Sequence, residues 1–435
     1  MATTAYWAPN QALIAQVETY TFSAPSSVGN TYTATINGKS VTYTSVSGDT
    51  AATVVTAFLA LMQAVTSVPI ELTEITFASP TSTTITATAS VPGTPFANVP
   101  GTSAGLVMST GNGLANGIAT AHTTANASPS DASDTQNWLR FTTPAPGVRA
   151  LPQDGDDVVV RDTDVPMLWN LDQRASVQFN TYTRWQSFTG TIGLPLTNAL
   201  GYNEWRATYF KFVGPQGSVP SGGLQMVLGH GDGVGPAHEH YNVGSQKTTL
   251  TVLAGTLVRF LGVHTLNSFA VLGGVDLEIA TQMGEIATLT TSLVDADAVV
   301  RVGPGVTWTG GATLTLISGS ANLDAAPTTL TMSSNSSVTI TTDLLTWPTI
   351  TAQGNCTITM LAGGTITTLT MTNGCTLDKS GDARALTITN HTIDGDSCVI
   401  NDPLNAITYT NAGSVKQSVQ SGPYRFTGTK TVKVV

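Results

Sequence analysis

Between residues 314 and 400 the chain repeats short apolar segments at a period near 20 residues. Leu330–Met332 (LTM), Ile350–Ala352 (ITA) and Leu369–Met371 (LTM) each open with an apolar residue, and eight positions later another follows: Val338, Ile358 and Leu377. Turn formers separate the two halves of each unit: Asn335, Gly354-Asn355 and Asn373-Gly374. Equivalent positions are 20 and 19 residues apart, with an earlier copy starting at Leu314 and a more divergent later one at Leu386. A unit of this length holds two or three short strands and cannot bury its apolar side chains alone, so the repeat predicts a stacked solenoid. Irregular spacing suits a parallel β-helix, whose loops bulge at the turns without disturbing the stack. A leucine-rich repeat would need a stricter Leu and Asn pattern.

The three cysteines fall on the same period. Cys356 and Cys375 stand two residues before Ile358 and Leu377, Ser336 holds that place before Val338, and Cys398 precedes Val399-Ile400 in a similar way. Three cysteines beyond residue 350 cannot make a disulfide framework. A reactive thiol needs a basic or His neighbour to lower its pKa, and the flanking sequence supplies none. The expected arrangement is a ladder of small side chains, one per coil.

Composition agrees with a folded, mainly β chain. Only 10% of residues are charged, against about 25% in ordinary domains, while 41% are hydrophobic. Threonine favours strands, and Gly and Asn favour the turns between them. The formal charge of −10 comes from 27 acidic and 17 basic residues, with no run of Lys or Arg. Nucleic acid and anionic membranes are therefore disfavoured as partners, because phosphates need clustered cations. The start, MATTAYWAPNQALIAQ, lacks the basic and apolar regions of a signal peptide. No apolar stretch approaches the roughly 18 residues of a membrane span. Both points predict synthesis in a cytoplasm, without membrane insertion or general secretion.

Ahead of the repeats the pattern changes. Residues 1–14 are read as an N-terminal arm and 15–98 as a small α+β domain. Its one helix follows Gly48, capped by Asp49 or Thr50, with Val54, Phe58, Met62 and Val65 along one face. Strands are expected at Val17–Phe22, Thr31–Ile36, Val41–Thr44, Glu71–Phe77 and Thr83–Ala89, with Asn37-Gly38 as a hairpin turn. Residues 99–136, rich in Gly, Ala and Ser, are expected to be a linker, or else an arm ordered on a neighbouring subunit. The parallel β-helix is placed at 137–410, right-handed, and residues 411–435 are read as a C-terminal tail or cap.

Four groups of residues invite a chemical reading. The segment Gly229–His240 holds His230, Asp232, His238, Glu239 and His240. On an extended strand His238 and His240 would share a side and could hold a metal, with His230 or Asp232 completing the set; a Gly-rich surface loop explains the same residues without one. Asp154, Asp156, Asp157, Asp162 and Asp164 flank a three-valine strand, and turn formation accounts for them better than a calcium loop or a glycosidase carboxylate pair. Trp138, Trp169, Trp185 and Trp205, with Tyr182, Tyr202, Tyr209 and Phe188, can bind sugars, but are read first as a solenoid cap or a subunit interface. The repeat region from 312 to 378 carries Asp324, Asp343 and Asp378 as its only charges, which is poor material for a catalytic groove. No catalytic residue and no cofactor is expected.

Gln186–Gly214 (QSFTGTIGLPLTNALGYNEWRATYFKFVG) resembles a segment of phage and prophage proteins that precedes repeat-rich β-helical sequence. Thr33–Met62 is similar to small modules of phage virion proteins. The resemblance carries no catalytic residue. It implies a structural protein of a tailed phage, trimeric as phage β-helices often are: a capsid decoration protein or a tail-fibre or spike component. Its implied partners are its own copies, major capsid or tail proteins, and host surface glycans. A β-helical polysaccharide depolymerase and a cell-surface adhesin are the alternatives.

Overall fold

A computed structural model describes residues 3–64, 68–96, 107–110, 118–142, 146–173, 175–212, 224–228, 239–242, 247–253, 257–260, 264–281, 287–295, 298–394, 397–410 and 414–416. The chain is mainly β and builds a parallel β-solenoid, with an antiparallel N-terminal domain beside it. Among the described residues two sheets run the length of the solenoid, parallel throughout except where Trp138–Thr142 and Val148–Arg149 pair antiparallel at one end. One holds ten strands, from Phe210–Lys211 to Val399–Asn401, joined by nine successive parallel pairings. The other holds sixteen and includes Thr329–Ser333, Leu344–Gln353 and Gly364–Thr372.

The repeat sets the register. Leu314, Leu330, Ile350 and Leu369 pair in sequence across one sheet, and Val338, Ile358 and Leu377 across the other. All seven are buried. Side chains alternate in and out along each strand, so threonine takes the outward positions. Thr315, Thr331, Thr351, Thr370 and Thr392 form one continuous outer column. The turns bend through two left-handed residues apiece: Ser334-Asn335, Gly354-Asn355 and Asn373-Gly374 all have positive φ. Glycine and asparagine adopt that conformation at least cost.

The last copy of the repeat falls elsewhere than its sequence pattern places it. His391, not Leu386, pairs with Leu369, while Leu386 pairs with Gly364. The turn before it is longer, running through Lys379–Arg384, and Leu386–Asp394 is a nine-residue strand that also lines the preceding face.

Inside the turns the expected ladder is present. Ser336, Cys356, Cys375 and Cys398 are buried on successive coils. The Cys356 and Cys375 thiols donate to the carbonyls of Gln353 (3.2 Å) and Thr372 (3.1 Å). Burial pushes the Cys375 thiol up to about 11.

Residues 3–7 are a strand of the solenoid and not part of an arm. Thr3–Trp7 pairs parallel with Asp157–Val160 and antiparallel with Trp138–Thr142, so it is the first parallel rung of the solenoid. Trp7 and Trp138 pack edge to face at 5.1 Å inside this end. The small domain is therefore an insertion. Ile14 and Ala127 exchange backbone hydrogen bonds of 2.9 and 3.3 Å where the chain leaves and returns.

Within that domain helix Ala51–Met62 is capped by Thr50 and buries Val54, Val55, Phe58 and Met62 against the sheet; Val65 lies outside the described residues. The Asn37-Gly38 turn joins Thr31–Ile36 to Lys39–Thr44 through two positive φ angles. Glu71 belongs to a 3-10 turn, Ile70–Glu74, and the strand begins at Ile75. Part of the expected linker is also sheet. Ile118–Thr124 pairs with Val17–Phe22, and Val107–Thr110 with Thr31–Ile36.

Two outcomes follow from this packing. At Gly303 an added Cβ would stand 1.7 Å from the Ala280 carbonyl oxygen, so Gly303→Ala should cost about 3 kcal/mol in urea unfolding; an unchanged midpoint would contradict the stacking there. The raised Cys375 pKa means that the native state holds its proton where the unfolded thiol has lost it. Its contribution is complete below about pH 9 and is lost as pH rises toward 11. Cys375→Ser should keep the fold at pH 7 and flatten the fall in thermal stability between those values.

Candidate functional site

The aromatic residues of the middle third divide into a core and a rim. Phe179, Tyr182, Phe188, Phe210, Phe212 and Tyr241 are buried in the first coils. Tyr182 stacks on Phe212 at 5.3 Å and meets Tyr241 at 5.4 Å. These rings fill the solenoid where its cross-section is occupied by large side chains instead of Leu, Ile and Val. Trp185 is different: it is 50% exposed.

Irregular backbone from Gly193 to Tyr209 joins the small domain to the solenoid. Arg206 lies almost buried between the rings of Trp169 and Trp205, 4.9 Å from each. It pairs with Glu204 on its own loop (2.7 Å) and with Glu74 of the small domain (3.2 Å), and donates to the Pro95 carbonyl (3.1 Å). The segment Gln186–Gly214 thus supplies the clamp for the inserted domain.

Of the His-rich group, His230, Asp232 and His238 lie outside the described residues. His240 is buried, with Nδ1 3.1 Å from the Leu194 carbonyl and Nε2 3.1 Å from Arg259. Arg259 can only donate, so Nε2 accepts and Nδ1 carries the proton. Both ring nitrogens are engaged in holding one coil to the next. Gly193 permits this approach: its φ is +99°, and a Cβ there would lie 2.7 Å from that of His240. Arg259 continues the stack to Glu278 at 2.6 Å, and Arg301 reaches Asp276 at 3.4 Å. Among the described residues no group of three His, Cys, Asp or Glu side chains could hold a metal ion.

The aspartates disperse in the same manner. Asp156 is buried and receives two hydrogen bonds from Arg140, at 2.7 and 2.9 Å. Asp154 accepts from the Gln178 backbone (2.9 Å), and Asp157 from Asn180 (2.7 Å) and Thr181 (2.8 Å) on the next coil. Asp162 takes a left-handed turn position and its backbone N–H donates to Ser187 Oγ at 3.1 Å.

One open groove lies at the end of the solenoid beside the first rung, enclosing about 510 Å³. Tyr6, Phe141, Arg149, Arg161 and Asp162 line it. Tyr6 and Phe141 meet edge to face at 5.5 Å. The Arg161 guanidinium lies over Tyr6 at 4.8 Å and over Trp185 at 5.6 Å, and pairs with Asp162 at 3.3 Å. Arg149 donates from Nη1 to the carbonyls of Ala8 and of Gln136, the latter at 2.7 Å. Of the groove's residues Asp162 was visible as a candidate in sequence, as was Trp185, which stands beside the groove against Arg161. Tyr6, Phe141, Arg149 and Arg161 were not, because they converge only when residues 3–7 join the sheet.

Removing the Arg140 partner, Asp156→Ala, leaves a cation without its carboxylate and should cost about 3 kcal/mol in denaturant unfolding. Calcium or a chelator should leave the wild-type melting temperature unmoved; a calcium-dependent rise would return these aspartates to metal binding.

No family model matches the chain, and searches of curated proteins and of solved structures find no significant relative.

Proposed function

We propose that this chain is a structural and binding component of a tailed-phage virion, a capsid decoration protein or a tail-fibre or spike element. The observation that carries the reading is where its polar chemistry goes. Asp156, Asp157, His240, Cys356 and Cys375 all bond to their own or adjoining coils. Groups engaged in this way stiffen a rod; a catalytic group needs a free edge toward substrate. The sequence resemblance of Gln186–Gly214 and Thr33–Met62 to phage proteins supports the virion setting. No helix among the described residues is long and apolar enough to cross a membrane. The outer threonine columns leave broad uncharged faces, which suits packing against two further copies in a homotrimer.

The depolymerase alternative would need two carboxylates about 5–10 Å apart across a bound sugar. Among the described residues lining the open groove, Asp162 is the one acid.

Immunogold electron microscopy of particles purified from a lysate should place an antibody against this chain on the capsid face or the tail. Light scattering on the purified protein should return three chain masses. Unlabelled particles, with the chain confined to the soluble fraction, would overturn the virion assignment; a monomer would overturn the trimer.

A further inference from the structure

The groove beside the first rung has a composition that its structural role does not require. Trp185 is the most exposed tryptophan whose environment is described, although it adjoins a strand whose other aromatic residue, Tyr182, is buried. It stands at the rim, outside the groove lining, and its ring faces the same Arg161 guanidinium as Tyr6 does from within. A guanidinium held between two ring faces is oriented before any ligand arrives, so little side-chain entropy is lost on binding. Two arginines and one aspartate give the groove a net positive charge, in a chain whose net charge is −10. About 510 Å³ lies within the range of small-ligand sites.

We propose that this groove binds an acidic oligosaccharide. The exposed ring of Trp185 takes the C–H face of a pyranose, as aromatic rings beside polar groups do. Arg149 and Arg161 pair with the sugar carboxylate, whose two oxygens match the planar fork of a guanidinium. Asp162 accepts from ring hydroxyls. A bare phosphate or a peptide carboxylate would satisfy the arginines but leave the aromatic wall unused, and a neutral sugar would leave the excess positive charge unpaired. The site is non-catalytic in this assignment: it holds the sugar and breaks no bond.

This goes beyond the virion reading, and the experiment uses purified full-length chain, so failure of either leaves the other standing. Tryptophan fluorescence and calorimetry would follow titration with tetramers of galacturonate, glucuronate and N-acetylneuraminate, each beside its methyl ester. At least one acid should bind and quench the fluorescence, with its ester weaker by about tenfold or more. Arg149→Gln and Arg161→Lys should lose that preference. Trp185→Ala, a change at an exposed position, should weaken acid and ester alike and remove the quenching. Thermal melts of each variant show whether the fold is kept; if Arg161→Lys unfolds, Arg149→Gln and Trp185→Ala carry the test. Absence of binding by all three acids, equal binding of acid and ester, or unchanged affinity in the folded variants would overturn the proposal. Equally tight binding of oligoglutamate or oligothymidylate would also overturn it, reducing the groove to a general anion site.

Discussion

Every coil of this protein depends on the in-register parallel ladder that sets each inward side chain on its counterpart one rung below. Neighbouring strands lie about 4.8 Å apart, so Leu330, Ile350 and Leu369 touch in a column that no single coil could keep dry. Burying one such side chain is worth about 1.5–3 kcal/mol. A partly exposed ion pair such as Arg301 with Asp276 is worth about 0–1 kcal/mol. The apolar columns therefore hold the solenoid together, and the outer charges adjust it. The same ladder explains the turn chemistry, because a loop may lengthen, as at Lys379–Arg384, only where it rejoins the stack in register.

A stack needs an end, and here the ends of the chain segments around the insertion provide one. Thr3–Trp7 adds a parallel strand, and Trp138–Thr142 turns antiparallel against it. Large rings replace aliphatic residues in the first coils and close the cross-section. The inserted domain is then tied down by Arg206, whose contacts reach its own loop, the small domain and two tryptophans. The groove proposed as a binding site is a by-product of this construction. It lies where the first rung leaves an edge, and that is where charged and aromatic side chains can face solvent together.

The repeat units were legible in sequence because their signal is local. Apolar pairs eight residues apart with Asn or Gly between them already describe strand, turn and strand, and the cysteines follow the same count. Leu386 misled because a count of apolar residues cannot see that its strand begins one face early. Residues 118–124 read as linker because Ala and Thr give little apolar contrast, although their backbone pairs with Val17–Phe22. The aspartates around the valine strand were recognisable as turn formers, but their partners Gln178, Asn180 and Thr181 stand a full coil away.

Periodicity and turn chemistry, which act over a few residues, were enough to determine that this chain stacks β-coils, where its hairpin and helix fall, and that its cysteines are core side chains. The tertiary structure alone decided that the first strand belongs to the solenoid, that the small domain is an insertion, and that Tyr6, Arg149 and Arg161 share one groove with Trp185 at its rim. The physical reason is distance along the chain. Tyr6 pairs with Leu139 and Val159, well over a hundred residues away, and such a contact exists only once the coils between have closed.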